Sequence, residues 1–432
     1  MRAPMKRDPL RALERLRKRF APGSGAAKRS LLRELDRLRL RSAHRVERLH
    51  EQLCFMRAYP DDARVLATVR RMLAGFAHRA DLRGERDALE NSGIAGTAIR
   101  FPFFWPSARW LARHWPDSLA LDRLDRAADR AIARLLGVDR SRLSGFAALD
   151  RIRAPGISDA VHFIRLVEAM PGNAFAKEKF YDAIEPVIEL RPGRGTPNRT
   201  LAWHAAGPIA WQRAPFTPGR PELAAALRRP PRRVHRVAQR EGERLLDLGR
   251  AAMATRLRDL DAFAYGDARS VRIVDDGAGL AFAVNGVIAE RQPENAALYG
   301  VLTLRNGVPV GYLDVAVAGA RAEMTFNTFS TFRNGEATRV FARVLAMARH
   351  VLGVRSFSIA PYQLGEHNPE AIASGAWWFY TKLGFRPRAK DARALARRER
   401  MRLRREPGYR SSAATLRKLA RWHLYFDSGK RA

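Results

Sequence analysis

The chain has 432 residues, 46% of them hydrophobic, with 79 Lys+Arg against 44 Asp+Glu and a formal charge of +35. That apolar fraction can build real cores and excludes global disorder, and the length exceeds one domain of roughly 100–200 residues. A single cysteine, Cys54, excludes an intrachain disulfide framework and a thiolate-rich zinc site, and no uncharged stretch approaches the ~18 apolar residues of a membrane-spanning helix.

Only nine of the basic residues are lysine, which leaves 70 arginines. Arginine and alanine enriched over lysine is the imprint of a GC-rich coding sequence, so composition competes with polyanion partners as the source of the charge. Those partners would be nucleic acid, an anionic membrane surface or phosphorylated ligands. No apolar stretch follows the basic start, and Asp8 and Glu14 come early, against a transit peptide. A cytoplasmic location is the expectation.

The first third reads as helices. Residues 27–56 place Leu31, Leu35, Leu38, Val46, Leu49 and Leu53 at helical spacing. Tyr59-Pro60-Asp61-Asp62 stops that run, and Asp61 or Asp62 caps a helix to about Phe76 with a stripe of Val65, Val69, Met72 and Leu73. Residues 91–116 gather aromatics around Pro102 and Pro106. They read as a packed loop, with a membrane-dipping loop as the alternative. Helices follow near 119–136 and 158–170. Residues 191–231 are rich in Pro and Gly, and Gly193-x-Gly195 lacks the flanking strand and helix of a phosphate loop. Residues 233–262 read as a linker helix that ends a helical, basic domain over 1–265.

The pattern then turns to β. Ser270–Asp275, Leu298–Leu304, Val308–Val317 and Ala322–Phe329 are short β-rich runs. Asn306-Gly307 marks a hairpin, because both central residues of a type I′ turn need positive φ. A helix (about 335–352), a strand (355–360) and a helix (371–383) follow. From the hairpin onward the order is β, β, β, α, β, α, and the whole chain is α+β.

This order, with the residues at its joints, resembles the GNAT superfamily of acyl-CoA-dependent N-acyltransferases over about 269–388. The clearest match is Ala376-Trp-Trp-Phe-Tyr380-Thr-Lys-Leu-Gly384-Phe385, similar to the superfamily's last helix, A-x-x-[LF]-Y-x-K-x-G-F. Ala376 and Tyr380 share a helix face, and Gly384 suits a helix stop at positive φ. Phe332-Arg333-Asn334-Gly335-Glu336-Ala337 resembles the pyrophosphate-binding turn [QR]-x-x-G-x-[GA] from Gly335 onward, with the basic residue displaced to Arg333. There N–H groups and the helix dipole would hold the anion. The resemblance implies a mixed sheet with flanking helices over 266–390 and acetyl-CoA or another acyl-CoA as co-substrate.

It also implies roles for single residues. Arg333, Asn334, Gly335, Ala337 and the candidate Asn368 would bind the co-substrate. Tyr380 would protonate the leaving thiolate. Glu323 is the best-placed general base, with Asp314, Glu366 and His367 as alternatives. Each of these residues also has a plain reading, as core, strand or surface side chain. No metal spacing is present among the ten histidines.

Two departures from the pattern stand out. Only about 22 residues separate the first strand from the hairpin, too few for the usual pair of acceptor-binding helices. After Phe385 the chain turns Arg-rich, so the closing β-hairpin is expected to be shortened or lost. Residues 391–432 read as a basic helical tail with the stripe Leu416, Leu419, Trp422 and Tyr425 or Phe426. It could pack on the N-terminal half, meet a nucleic-acid backbone or lie on a membrane surface. The functional expectation is acyl transfer to an unidentified amine. The alternative is a catalytically degenerate GNAT fold serving as a polyanion-binding or scaffold module.

Overall fold

The computed structural model of the protein describes residues 8–139, 141–205, 207–217, 219–333 and 336–428. It is α+β and divides into two compact units. The first comprises the chain to His204 with Trp211–Pro215 and Leu246–Tyr265. The second comprises Ala205–Ala210, Phe216–Leu245 and Gly266–Ala432.

The first unit opens with four helices, Pro9–Leu16, Ser24–Arg37, Ala43–Ala58 and Ala63–Ala74. The 27–56 run breaks at residues 38–42, where the Ser42 hydroxyl accepts from the Arg45 N–H. Asp62 caps the fourth helix, its Oδ1 accepting from Val65 N at 2.8 Å. Val65, Val69, Met72, Leu73 and Phe76 are all buried. The aromatic segment packs inward: Phe103, Trp105 and Trp110 are buried on and beside the helix Trp105–His114. A sheet that the sequence did not announce lies nearby, made of β1 (Ile99–Phe101), β2 (Leu119–Leu121) and β3 (Ile188–Leu190) in the antiparallel order β1-β3-β2. Strands of three residues are too short to show a period of two.

The second unit is built on one nine-stranded sheet. Its strands are β4 (Arg233–Arg236), β5 (Arg272–Gly277), β6 (Leu280–Gly286), β7 (Ala297–Arg305), β8 (Val308–Ala318), β9 (Arg321–Thr328), β10 (Ser356–Ile359), β11 (Arg386–Pro387) and β12 (Leu424–Asp427). The order is β11-β12-β10-β9-β8-β7-β6-β5-β4. The expected hairpin is present, with Asn306 at φ 48° and Gly307 at φ 78°. Every pairing is antiparallel except β9–β10. Those two strands are parallel and joined through the crossover helix Ala337–Val351.

Three expectations need correction. Residues 233–262 are not one helix: they begin as β4, an edge strand pairing with β5, and the helix Gln239–Ala254 follows. Pairing at the sheet edge outweighs the helical spacing of Val234 and Val237. The expected last helix is two, Pro369–Ser374 and Ala376–Lys382, because Gly375 between them is left-handed at φ 68°. The 391–432 segment is neither a separate tail nor an addition to the N-terminal half, since the second unit includes it. Its strand β12 lies between β10 and β11, so the closing antiparallel pair is shortened, as expected, to the rungs Arg386–Tyr425 and Pro387–Leu424, and it is interrupted by the helices Lys390–Arg405 and Ala413–Ala420. Leu416, Leu419 and Leu424 are buried in the core that also holds Phe341, Phe357 and Phe385.

One buried cation ties this core to its edge. Arg343, in mid-helix, directs Nε to both Asp276 carboxylate oxygens at 2.8 and 3.0 Å and Nη2 to Oδ1 at 2.6 Å. Nη1 donates to the carbonyl of Ala226 (2.6 Å) and Nη2 also to that of Arg229 (2.9 Å). A guanidinium removed from water needs these acceptors, and the arrangement pins the crossover helix to the helix Leu223–Arg228 and the end of β5.

Two measurements follow from this architecture. Leu424 is fully buried between β10 and β11, so Leu424→Ala should cost about 2–5 kcal/mol in denaturant unfolding. A cost under about 1 kcal/mol would fit a dangling tail instead. In the first unit, Asp259 accepts from Ser107 Oγ at 2.5 Å and Phe104 N at 2.9 Å. Burial, aided by Asp261 and Asp182 and opposed by those hydrogen bonds, raises its carboxyl to about 6. Folding thus favours the neutral acid over the carboxylate relative to the unfolded chain, and the group is protonated below about pH 6. Its stabilisation is complete below the unfolded value near 4 and is lost as pH rises through 6, about 3 kcal/mol in all. Asp259→Asn should flatten the stability profile between about pH 4 and 6, and an unchanged profile would contradict the assignment.

Candidate functional site

The site follows from how β9 and β10 run. They pair in parallel at three positions only, Ser356–Arg321, Phe357–Ala322 and Ser358–Glu323. β10 then stops, because Pro361 opens the short helix Pro361–Leu364. β9 continues to Thr328 against β8. Met324–Thr328 therefore have no strand on their β10 side among the described residues. The sheet opens into a divergence just past the Glu323–Ser358 rung.

The two faces of this divergence differ. Ala322, Met324 and Phe326 of β9 face the core under the crossover helix. There Phe341 stands at the centre of an aromatic group. Its ring centroid lies 4.9 Å from Phe326, 5.4 Å from Tyr380, 5.7 Å from Phe379 and 5.9 Å from Phe385. Trp377, Leu416 and Leu419 belong to the same core. Tyr380 is buried on this side, and burial pushes its phenol well above the ordinary value, with Tyr312 adding to the rise. The hydroxyl is thus held neutral across physiological pH. It can donate a hydrogen bond but gives up its proton reluctantly.

Strand alternation puts Glu323, Thr325 and Asn327 on the opposite face. Glu323 lies at the last parallel rung, half exposed, and its Oε2 is 3.1 Å from Nε2 of His423. His423 precedes β12 and shares a face with Tyr425, which pairs with Ser358. The histidine ring stacks beside that of Tyr425 at 6.0 Å. Glu323 and His423 form a carboxylate–imidazole pair at the mouth of the divergence. Asp314 lies one strand away, opposite Thr325.

The other expected residues are placed as follows. Arg333 follows β9. Its Nε donates to the Thr328 carbonyl at 3.0 Å and its Nη2 to Glu370 at 2.6 Å, so it ties the end of β9 to the helix Pro369–Ser374. Asn368 caps that helix, its Oδ1 accepting from Ala371 N at 3.1 Å, so its carboxamide oxygen is already engaged. Asn334 and Gly335 lie outside the described residues. Ala337 is the first residue of the crossover helix, and Glu336 turns to Arg305 at 3.5 Å. His367 is an exposed loop residue at φ 52°, and Glu366 precedes it.

No known family, curated protein or solved structure matches this chain. The reading of the site therefore stands on its own geometry. Among the described residues no group of three or more His, Cys, Asp or Glu is placed to hold a metal ion, and no helix is long and apolar enough to cross a membrane.

Sequence reading missed His423, which sits 100 positions from Glu323. The signal was there in Trp422-His-Leu-Tyr-Phe-Asp427. Polar and apolar residues alternate over 423–427 with the period of a strand, but a helical stripe was read through them. The Glu323–His423 pair is solvent-exposed and should matter little to the fold. Glu323→Gln and His423→Ala should each shift the unfolding free energy by less than about 1 kcal/mol in urea titrations, and a larger loss would mean a structural role.

Proposed function

We propose that the second unit transfers an acyl group from coenzyme A to an amine. The observation that carries this reading is the divergence of β9 and β10 after three rungs, with Glu323 and His423 at its mouth. A freed strand edge offers backbone N–H and C=O groups to an extended, amide-bearing ligand, and the arm of coenzyme A is one. The resemblance of Ala376–Phe385 and of the turn before the crossover helix to the GNAT superfamily supports the same assignment.

In this reading the thioester lies in the divergence and the amine approaches from the polar face. The amine nitrogen attacks the thioester carbon while the Glu323 carboxylate, steadied by His423, takes the amine proton. The carbon–sulfur bond breaks as the amide forms. Tyr380, held neutral by its burial, donates a hydrogen bond to the departing thiolate, which takes its proton from solvent. This changes the role expected of Tyr380 from proton donor to hydrogen-bond donor.

One observation favours a second reading. The helix side of the divergence is packed by Phe326, Phe341, Tyr380 and Trp377 and backed by Leu416 and Leu419. A fold that had lost its co-substrate groove and served as a polyanion-binding scaffold would be packed in this way.

Calorimetry with acetyl-CoA separates the two. The acyltransferase reading expects saturable binding, and Glu323→Gln should then lower turnover of an amine acceptor by about 10²–10⁴ while leaving acetyl-CoA affinity near the wild-type value. Absence of heat at about 1 mM acetyl-CoA, with nucleic-acid binding that falls steeply with salt, would establish the scaffold reading instead.

A further inference from the structure

The second unit contains a cleft of about 560 Å³ on the other flank of the crossover helix, away from β10. Its walls are the helix Leu223–Arg228, the turn after β5, the end of β7 and the first two turns of the helix Ala337–Val351. This volume falls in the range of small-molecule pockets. The floor is small and apolar, with Ala226, Leu280, Val340 and Ala342. Four arginines also line it, Arg229, Arg305, Arg339 and Arg343, with the carboxylates of Glu222, Asp276 and Glu336.

These charges are not equally committed. Arg343 is held by Asp276, which Arg229 also approaches at 3.3 Å. Arg305 pairs with Glu336 at 3.5 Å. Glu222 is exposed at the rim and is in no ion pair with the arginines among the described residues. Arg339 is different. It is in no ion pair among the described residues, and its Nε is one of several arginine Nε atoms shut off from solvent with no hydrogen-bond partner. A desolvated guanidinium N–H with no acceptor is costly. An acceptor brought by a ligand would supply the missing bond.

We propose that this cleft binds a small organic anion. Its phosphate or carboxylate group would lie against Arg339, with Arg305 and Arg229 flanking, and its compact apolar or planar body would rest on the alanine-lined floor. Two oxyanion chemistries fit a planar fork of N–H donors, a phosphate monoester and a carboxylate. The cleft shares neither Glu323 nor the β9–β10 divergence, but it borders the turn before the crossover helix that the acyl-transfer reading assigns to the coenzyme A pyrophosphate.

The test is calorimetry on the full chain at about 150 mM salt, which suppresses diffuse attraction to a +35 surface. Adenosine monophosphate probes the phosphate monoester, and succinate the carboxylate. Saturable binding of either is expected, and which one binds names the chemistry. Arg339→Gln should weaken it about tenfold or more, while Arg398→Gln, an exposed arginine on the helix Lys390–Arg405, should leave it unchanged. Ala225→Trp, which fills the cleft from its exposed wall, should abolish binding and carries the test should Arg339→Gln fail to fold. The proposal is overturned if neither probe saturates below about 10 mM, or if Arg339→Gln and Ala225→Trp bind as tightly as the wild type.

Discussion

The Arg343 guanidinium organises the second unit. A cation in the middle of an amphipathic helix would ordinarily point to water. Here it lies beside Val340 and Met347 on the side of the buried helix away from Phe341. It is tolerated inside because Asp276 and the carbonyls of Ala226 and Arg229 satisfy it together. Neither half of the pair is affordable alone, since an uncompensated buried charge destabilises strongly. The crossover helix is thereby fixed in rotation over the sheet. That rotation decides which side chains reach the β9–β10 divergence on one flank and the arginine cleft on the other. Phe341 can stand at the centre of its aromatic group because Arg343, two residues on, is anchored toward β5.

This division makes the sheet a partition. Core packing on the helix side gives a dry, aromatic environment in which a phenol remains neutral. The opposite side offers an exposed carboxylate–imidazole pair in water, where proton exchange is fast. The two environments approach each other only beyond the Glu323–Ser358 rung, where β10 has ended. A reaction that needs a proton removed on one side and a soft anion released on the other would use such an asymmetry.

Legibility in the sequence tracked how local each determinant is. The β7–β8 hairpin was readable because Asn306-Gly307 encodes its turn in two residues. The crossover helix and β10 were readable because each is framed by its own periodicity. β4, β6 and β12 were not. β4 gains its backbone partners from β5, 36 to 42 positions away, and β12 depends on β10 and β11, so nothing nearby in the chain marks either as extended. At the site, Glu323 and Tyr380 could be found from their motif neighbourhoods, whereas His423 meets Glu323 only through tertiary pairing. Asn368 was singled out for position and proved to be a helix cap, a use for asparagine that is equally common in loops. The buried Arg343, and Arg339, which is in no ion pair among the described residues, could not be distinguished from the other arginines by composition. Only the acceptors around each one separate them.

The interruption between β11 and β12 also sets the order in which the fold can be completed. Ser356 and Asp427 are hydrogen-bonded across 71 positions of sequence. Until the later segment emerges and docks, β10 has one flank unpaired and the Phe357–Phe385 core is open on that side. A nascent chain passing through this stage would present a raw strand edge beside exposed aromatic surface, the combination that chaperones hold and that aggregates recruit. The two inserted helices lengthen that interval, and the long contact span makes the final closure slow relative to the helices that precede it. The arginines of Lys390–Arg405, most of them exposed, give the unfinished chain a dense like-charge segment beside its most vulnerable edge, which would keep partly made copies apart.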